Sequence, residues 1–247
     1  ATKITRNGKT AAVFLEGGAI DGGDGCVSVD GTVNFSAGII SSAFGVCVSG
    51  TFIMTGGKIT GCSGGGLKVY STATKITRNG KTAAVFLEGG EISNCGLTNG
   101  GNGAGVYTAS DIYMSGTIIK NNNRVGYKAT KGGGMYVVSG ATVTMDGGAI
   151  LNNYATEAAG GVYVESGATF TFNGGTIADN GIAANDTEIA ETQYYIINFN
   201  ANNSSATGKV ASIWANKTES STVLPVNQFA VSGKTFVGWT ISYQNAS

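Results

Sequence analysis

The sequence predicts an all-β protein: a single-stranded parallel β-helix of about seven coils, followed by a small C-terminal β module. Three observations lead there. Gly supplies 41 of 247 residues and charged residues only 12%, against roughly 25% charged in ordinary soluble domains. Val, Ile, Thr, Tyr and Phe lie between Gly and Asn clusters, the texture of short strands and tight turns. Seven segments align on one apolar pattern, and helical periods are nowhere sustained.

The segments are VFLEGGAI, VNFSAGII, FIMTGGKI, VFLEGGEI, IYMSGTII, VTMDGGAI and FTFNGGTI, anchored on Leu15, Phe35, Met54, Leu87, Met114, Met145 and Phe172. Two residues before the anchors stand Val13, Val33, Phe52, Val85, Ile112, Val143 and Phe170. Five residues after them stand Ile20, Ile40, Ile59, Ile92, Ile119, Ile150 and Ile177. The anchors are 20, 19, 33, 27, 31 and 27 residues apart. Repeats of this size bury an apolar side only by stacking on their neighbours. In a parallel β-helix the coils lie ~4.8 Å apart, so equivalent residues form ladders. The Ile series is therefore expected to point inward, with Gly at the corners supplying positive φ. Ahead of most anchors comes a second short strand: VSV from Val27, VCV from Val46, LKV from Leu67, VYT from Val106, MYV from Met135 and VYV from Val162.

Eight residues after each anchor the series reads Gly23, Ala43, Cys62, Cys95, Asn122, Asn153 and Asn180. The last three predict an asparagine ladder. Cys62 and Cys95 fall on neighbouring coils at an expected Cα separation of ~5 Å, which suits either a disulfide or two stacked thiols. Cys26 and Cys47 stand two positions out of register and read as unpaired.

The block ATKITRNGKTAAVFLEGG occurs twice without a difference, at Ala1–Gly18 and Ala73–Gly90. The offset of 72 residues equals the first three anchor spacings together, so the copies are in phase with the coils. VFLEGG is a coil strand and corner. TKITRNGKTA places Asn79-Gly80 between β-prone arms, the signal of a type I′ hairpin. The fourth coil is thus expected to carry a protruding hairpin, and the first copy either repeats it or frays.

The stretches GGTIADN, GGAILNN, GGMYVVSGATVTM and GGVYVESGATFTF resemble the Gly-rich right-handed β-helix repeats of adhesin-like and polymorphic outer-membrane bacterial surface proteins, over roughly residues 10–182. The resemblance implies a right-handed helix in an extracellular, cell-surface setting. Residues 183–193 read as a linker or cap. Residues 194–247 are similar to the Listeria-Bacteroides repeat, through Ile197 to Asn202, Leu224-Pro225 and Gly233 to Trp239. That likeness implies a small β-grasp-like spacer or interaction unit, read here as partial.

Composition also limits the chemistry. Net charge is zero and no Lys/Arg cluster reaches five residues, which argues against nucleic-acid and anionic-membrane partners. No apolar run approaches ~20 residues and no basic, apolar leader is present, so the chain reads as a fragment of a longer protein without membrane insertion. The absence of His removes Ser-His-Asp and Cys-His catalysis and the usual zinc sites. Parallel β-helices include polysaccharide lyases and glycosidases, and hydrolases need two carboxylates about 5 to 9.5 Å apart. The outward series is Glu16, Ser36, Thr55, Glu88, Ser115, Asp146 and Asn173, with no acids on neighbouring coils. Glu88 and Asp146, at ~9.6 Å, sit at the outer limit. Lys58 and Lys68 show no acidic partners that would suit a lyase.

Asp21, Asp24 and Asp30, in DGGDGCVSVDG, are candidate calcium ligands, against the plainer reading of Asp in solvated turns. Tyr107, Tyr136 and Tyr163 are expected to form an exposed stripe at ~4.8 Å spacing, suited to stacking on sugars or to a protein interface; alternatively, Tyr simply stacks on itself in β structure. The sequence therefore points to a non-catalytic surface protein, an adhesin or rigid spacer, monomeric and without a cofactor. Its expected partner is a host or bacterial surface glycan or protein. The competing class is a carbohydrate-active enzyme.

Overall fold

A computed structural model describes residues 4–6, 9–11, 13–123, 127–182, 194–197, 213–216, 230–233 and 235. The chain divides into two compact units, Ala1–Thr192 and Gln193–Ser247. Among the described residues there is no helix, and most strands are parallel and stacked in sheets.

In the first unit the apolar pattern is the register of the main sheet. Val13, Val33, Phe52, Val85, Ile112, Val143 and Phe170 are successive partners, as are the seven anchors and the seven isoleucines. The first four repeats run through the Gly pair as strands Val13–Asp21, Thr32–Ser41, Thr51–Thr60 and Val85–Ser93. The last three break there, for example into Ile112–Met114 and Ile118–Lys120. Gly57 shows why the corner excludes other residues: at φ 75°, a Cβ would lie 2.4 Å from the ring of Phe35 in the repeat before.

The second strands form a parallel sheet of their own, from Val27–Val29 through Val46–Val48, Leu67–Val69, Val106–Thr108 and Met135–Val137 to Val162–Val164. Their first and third residues and the apolar side of the main sheet supply the core, with Val46, Leu67, Val85, Leu87, Met114, Ile119 and Ile150 almost wholly buried. Burying each such side chain contributes about 1.5–3 kcal/mol. The first repeat is less covered: Val13 is 46% and Ile20 39% exposed.

The asparagine ladder forms. Asn122 Oδ1 accepts from the Cys95 N–H at 3.0 Å, Asn153 Oδ1 from the Asn122 N–H and Nδ2, and Asn180 Oδ1 from the Asn153 N–H and Nδ2. Each Nδ2 also donates to the carbonyl of Ile92, Ile119 or Ile150. The residue ahead of each ladder position, Asn94, Asn121, Asn152 or Asp179, has φ between 52° and 58°. Asn and Asp tolerate that left-handed region best after Gly, which accounts for the doublets NN and DN. On the facing corner Gly105 and Gly134 leave the room: a Cβ on either would lie 2.9 Å from the ladder amide of Asn122 or Asn153.

Both copies of the duplicated block fold as antiparallel hairpins, with Ile4, Thr5 and Arg6 paired as Ile76, Thr77 and Arg78 are. In the second copy Asn79 and Gly80 have φ 49° and 74°, as a type I′ turn requires. The expected protrusion is corrected. The hairpin lies against the outer face of the main sheet, where Ile76 packs with Ile53, Ala83, Phe86 and Tyr113. The physical reason is the outward row Ile53, Phe86, Tyr113, an apolar stripe that would otherwise be wet. The longer later repeats also build short outer ladders, Gly101–Asn102 with Ala129–Lys131 and Tyr154–Ala155 with Gly181–Ile182.

In the second unit, strands Tyr194–Ile197 and Ile213–Asn216 pair antiparallel. Leu224-Pro225, Phe236 to Trp239 and the linker 183–193 lie outside the described residues.

Candidate functional site

The three tyrosines occupy the middle position of consecutive strands, and the strand register sets them directly above one another. The rings of Tyr107 and Tyr136 lie 5.7 Å apart and those of Tyr136 and Tyr163 5.2 Å, each pair within 5° of parallel. The expected exposed stripe is corrected accordingly. Ring faces are spent on one another, and Tyr136 is only 6% exposed. Tyr107 and Tyr163, at the two ends of the column, are half-buried.

The column has charged ends. Lys68, the register partner of Tyr107, holds Nζ 5.8 Å from the Tyr107 ring centroid and 5.3 Å from that of Tyr70. Lys131 holds Nζ 5.0 Å from the centroid of Tyr163. An ammonium over an aromatic face is held by the ring quadrupole. Alongside, the Tyr136 hydroxyl donates to Glu165, whose other oxygen accepts the Ser139 N–H at 2.7 Å. Burial, and then the Glu165 carboxylate, push the Tyr136 phenol well above its ordinary range. A wall of glycine closes one side: at Gly103 and Gly132 a Cβ would lie 2.9 and 3.1 Å from the Cα of Tyr107 and Tyr136.

Lys68 was legible as a member of this row, since LKV occupies the place of VYT. Lys131 and Glu165 were not. They come from different segments, and only the folded ladder brings them to the rings.

The other sequence candidates disperse. Asp21 accepts from Ser41 Oγ at 2.8 Å, while Asp30 accepts from Ser28 and Ser49. Asp21, Asp24 and Asp30 are not gathered as a set, and among the described residues no three His, Cys, Asp or Glu side chains stand together as a metal site. Cys62 and Cys95 lie at neighbouring ladder positions, fully buried and as free thiols. The Cys62 thiol is lowered by its bond to Cys95, whose own value rises in consequence.

Two of the three outward carboxylates, Glu88 and Asp146, pair with cations. Glu88 receives both Nε and Nη2 of Arg78 at 2.8 Å. Asp146 takes Lys81 at 3.0 Å, the Tyr113 hydroxyl at 3.0 Å and Asn173 Nδ2 at 2.8 Å. Lys58, expected to stand without an acid, instead meets Glu91 at 2.9 Å, and Lys120 meets the same carboxylate at 2.8 Å. Desolvation opposes ionisation of Glu91, but Lys120, Ser93 and Lys58 overcome it and hold the carboxyl down to about 2.

No family model matches the chain, and no curated protein and no solved structure matches it either.

Proposed function

We propose that the chain is a non-catalytic part of a bacterial cell-surface protein. In this reading it is a right-handed single-stranded parallel β-helix of about seven coils with a partial Listeria-Bacteroides-type module, acting outside the cell as an adhesin or rigid spacer. Its partner is a host or bacterial surface glycan or protein, met along the face that carries Tyr107, Tyr136 and Tyr163.

One observation carries the non-catalytic part: Glu88, Glu91 and Asp146 are each held by a cation in the ladder. A general acid needs a carboxyl whose proton is retained near neutral pH, and Glu91 at about 2 together with a lowered Asp146 are the opposite. The stacked tyrosines support the binding part in a narrower form than ring-face stacking. A ligand meets phenol oxygens and ring edges in a fixed row, with an ammonium near either end.

A glycan array run with a turnover assay on neutral and acidic polysaccharides tests both parts. Retention without cleavage is expected, and it should weaken in Tyr107→Ser and Tyr163→Ser, which leave the buried central ring in place. Release of shortened saccharides would overturn the reading.

A further inference from the structure

The two hairpins share one sequence and rest on different seats. The second precedes Val85–Ser93 and is followed by the repeats of Ile112–Met114 and Thr142–Met145. The first precedes Val13–Asp21 and is followed by Thr32–Ser41 and Thr51–Thr60. Strand Lys81–Ala83 lies beside Ile112–Met114, and Lys9–Ala11 lies in the same way beside Thr32–Ser41. Because the hairpins are identical, a difference in how firmly they are held lies outside them.

The second seat is charged and its polar groups are paired. Lys75 meets Asp111 at 2.6 Å and Lys81 meets Asp146 at 3.0 Å. Tyr113 gives its hydroxyl to Asp146 at 3.0 Å and lies under Lys81, whose Nζ is 5.1 Å from its ring centroid. At the same places in the two repeats after the first hairpin stand Thr32, Asn34 and Thr55. Neither threonine carries a charge. Asn34 is 2% exposed, and neither its Oδ1 nor its Nδ2 has a hydrogen-bond partner. Its register partners, Phe14 and Ile53, have no polar side-chain atom to offer. A buried amide in this state has given up its bonds to water and gained none in return, so closure over it is opposed.

We propose that the first hairpin is a releasable strap, which opens to let water reach Asn34 while the identical second hairpin stays shut on Asp111, Tyr113 and Asp146. Opening leaves the stack intact. Val33, Phe35 and Ile40, which join the second repeat to its neighbours, are buried in the core rather than under the strap.

Trypsin tests this with a control inside the same chain, since the bonds after Arg6 and Lys9 have the same flanking residues as those after Arg78 and Lys81. A cut in the first hairpin trims one end of the chain and a cut in the second splits it, so masses under denaturing conditions tell them apart. In the folded full chain the first hairpin should be cut about tenfold faster or more. Thr32→Asp/Asn34→Tyr/Thr55→Asp builds the second seat under the first hairpin. It should slow the cuts after Arg6 and Lys9 by about tenfold and leave those after Arg78 and Lys81 unchanged. Asn34→Leu removes the amide and adds no charge; it should slow the first pair of cuts without lowering the thermal transition. Equal rates in the unaltered chain would overturn the proposal. So would rates at Arg6 and Lys9 that the rebuilt seat leaves unchanged, because the chain end would then set them. A destabilised Asn34→Leu would overturn it too, because the amide would then have partners. Should the triple variant fail to fold, Asn34→Leu decides by its own two readouts.

Discussion

Lys81 Nζ lies 3.0 Å from Asp146 Oδ2, two repeats further along the stack. The same hairpin reaches its own repeat through Arg78 and Glu88, the next through Lys75 and Asp111 at 2.6 Å, and the previous one through Ile76 and Ile53. Repeat proteins are ordinarily coupled only between neighbours. Here a surface hairpin spans four repeats.

Removing the acids of this seat should loosen the hairpin without unfolding the stack, because exposed ion pairs position more than they stabilise. In Asp111→Ala/Asp146→Ala, tryptic cleavage at Lys75, Arg78 and Lys81 is expected to quicken by about tenfold while the thermal transition moves little. Unchanged cleavage would mean that the apolar contact of Ile76 and the Arg78–Glu88 pair hold it without those acids.

Asn153 stands in the middle of the ladder, giving to Ile119 and accepting twice from Asn122. Asn153→Ala takes one partner from each of those buried groups, Asn122 Nδ2 keeping the Ile92 carbonyl, at about 1–3 kcal/mol for each group left unpaired. Urea unfolding should show a loss of roughly 3 kcal/mol or more. A loss below 1 kcal/mol, on the order of one ordinary hydrogen bond, would show that water replaces the amide.

Glu91 supplies a pH dependence. Its folded value of about 2 lies below the ordinary 4.5, so its stabilisation is complete above the ordinary value and fades as pH falls from there toward 2. The unaltered chain should exceed Glu91→Gln in stability at neutral pH, and the two should converge in acid. Parallel curves from pH 6 to 3 would show that Lys58 and Lys120 do not hold this carboxylate in solution.

The Tyr136 phenol is raised, so its contribution is intact below about pH 10, the ordinary tyrosine value, and fades above it. Spectrophotometric titration of the folded chain should show the same number of phenols ionising near pH 10–11 in Tyr136→Phe as in the unaltered chain. One fewer in the variant would place Tyr136 among the ordinary phenols.

The three apolar ladders and the asparagine ladder were legible because stacking puts one residue type at one position in every repeat. Tyr107, Tyr136 and Tyr163 were legible as a row for the same reason, but not their burial. Tyr136 is buried because Tyr107 and Tyr163 stack on its two faces at this close spacing, which the sequence pattern alone does not set. The hairpin was legible from Asn79-Gly80 alone, whereas its docking depends on Asp111 and Asp146, outside the duplicated block. Cys26 and Cys47 were legible as unpaired because the strand register keeps them two positions apart.

Because Val13 and Val85 occupy the same ladder, an in-frame exchange between the two copies removes or inserts three whole repeats and leaves every ladder intact. The stack's reach is thereby adjustable in steps of about 14 Å. Asp111, Tyr113 and Asp146 lie beyond the exchanged segment, so whichever hairpin survives immediately ahead of Val85 inherits the acidic seat.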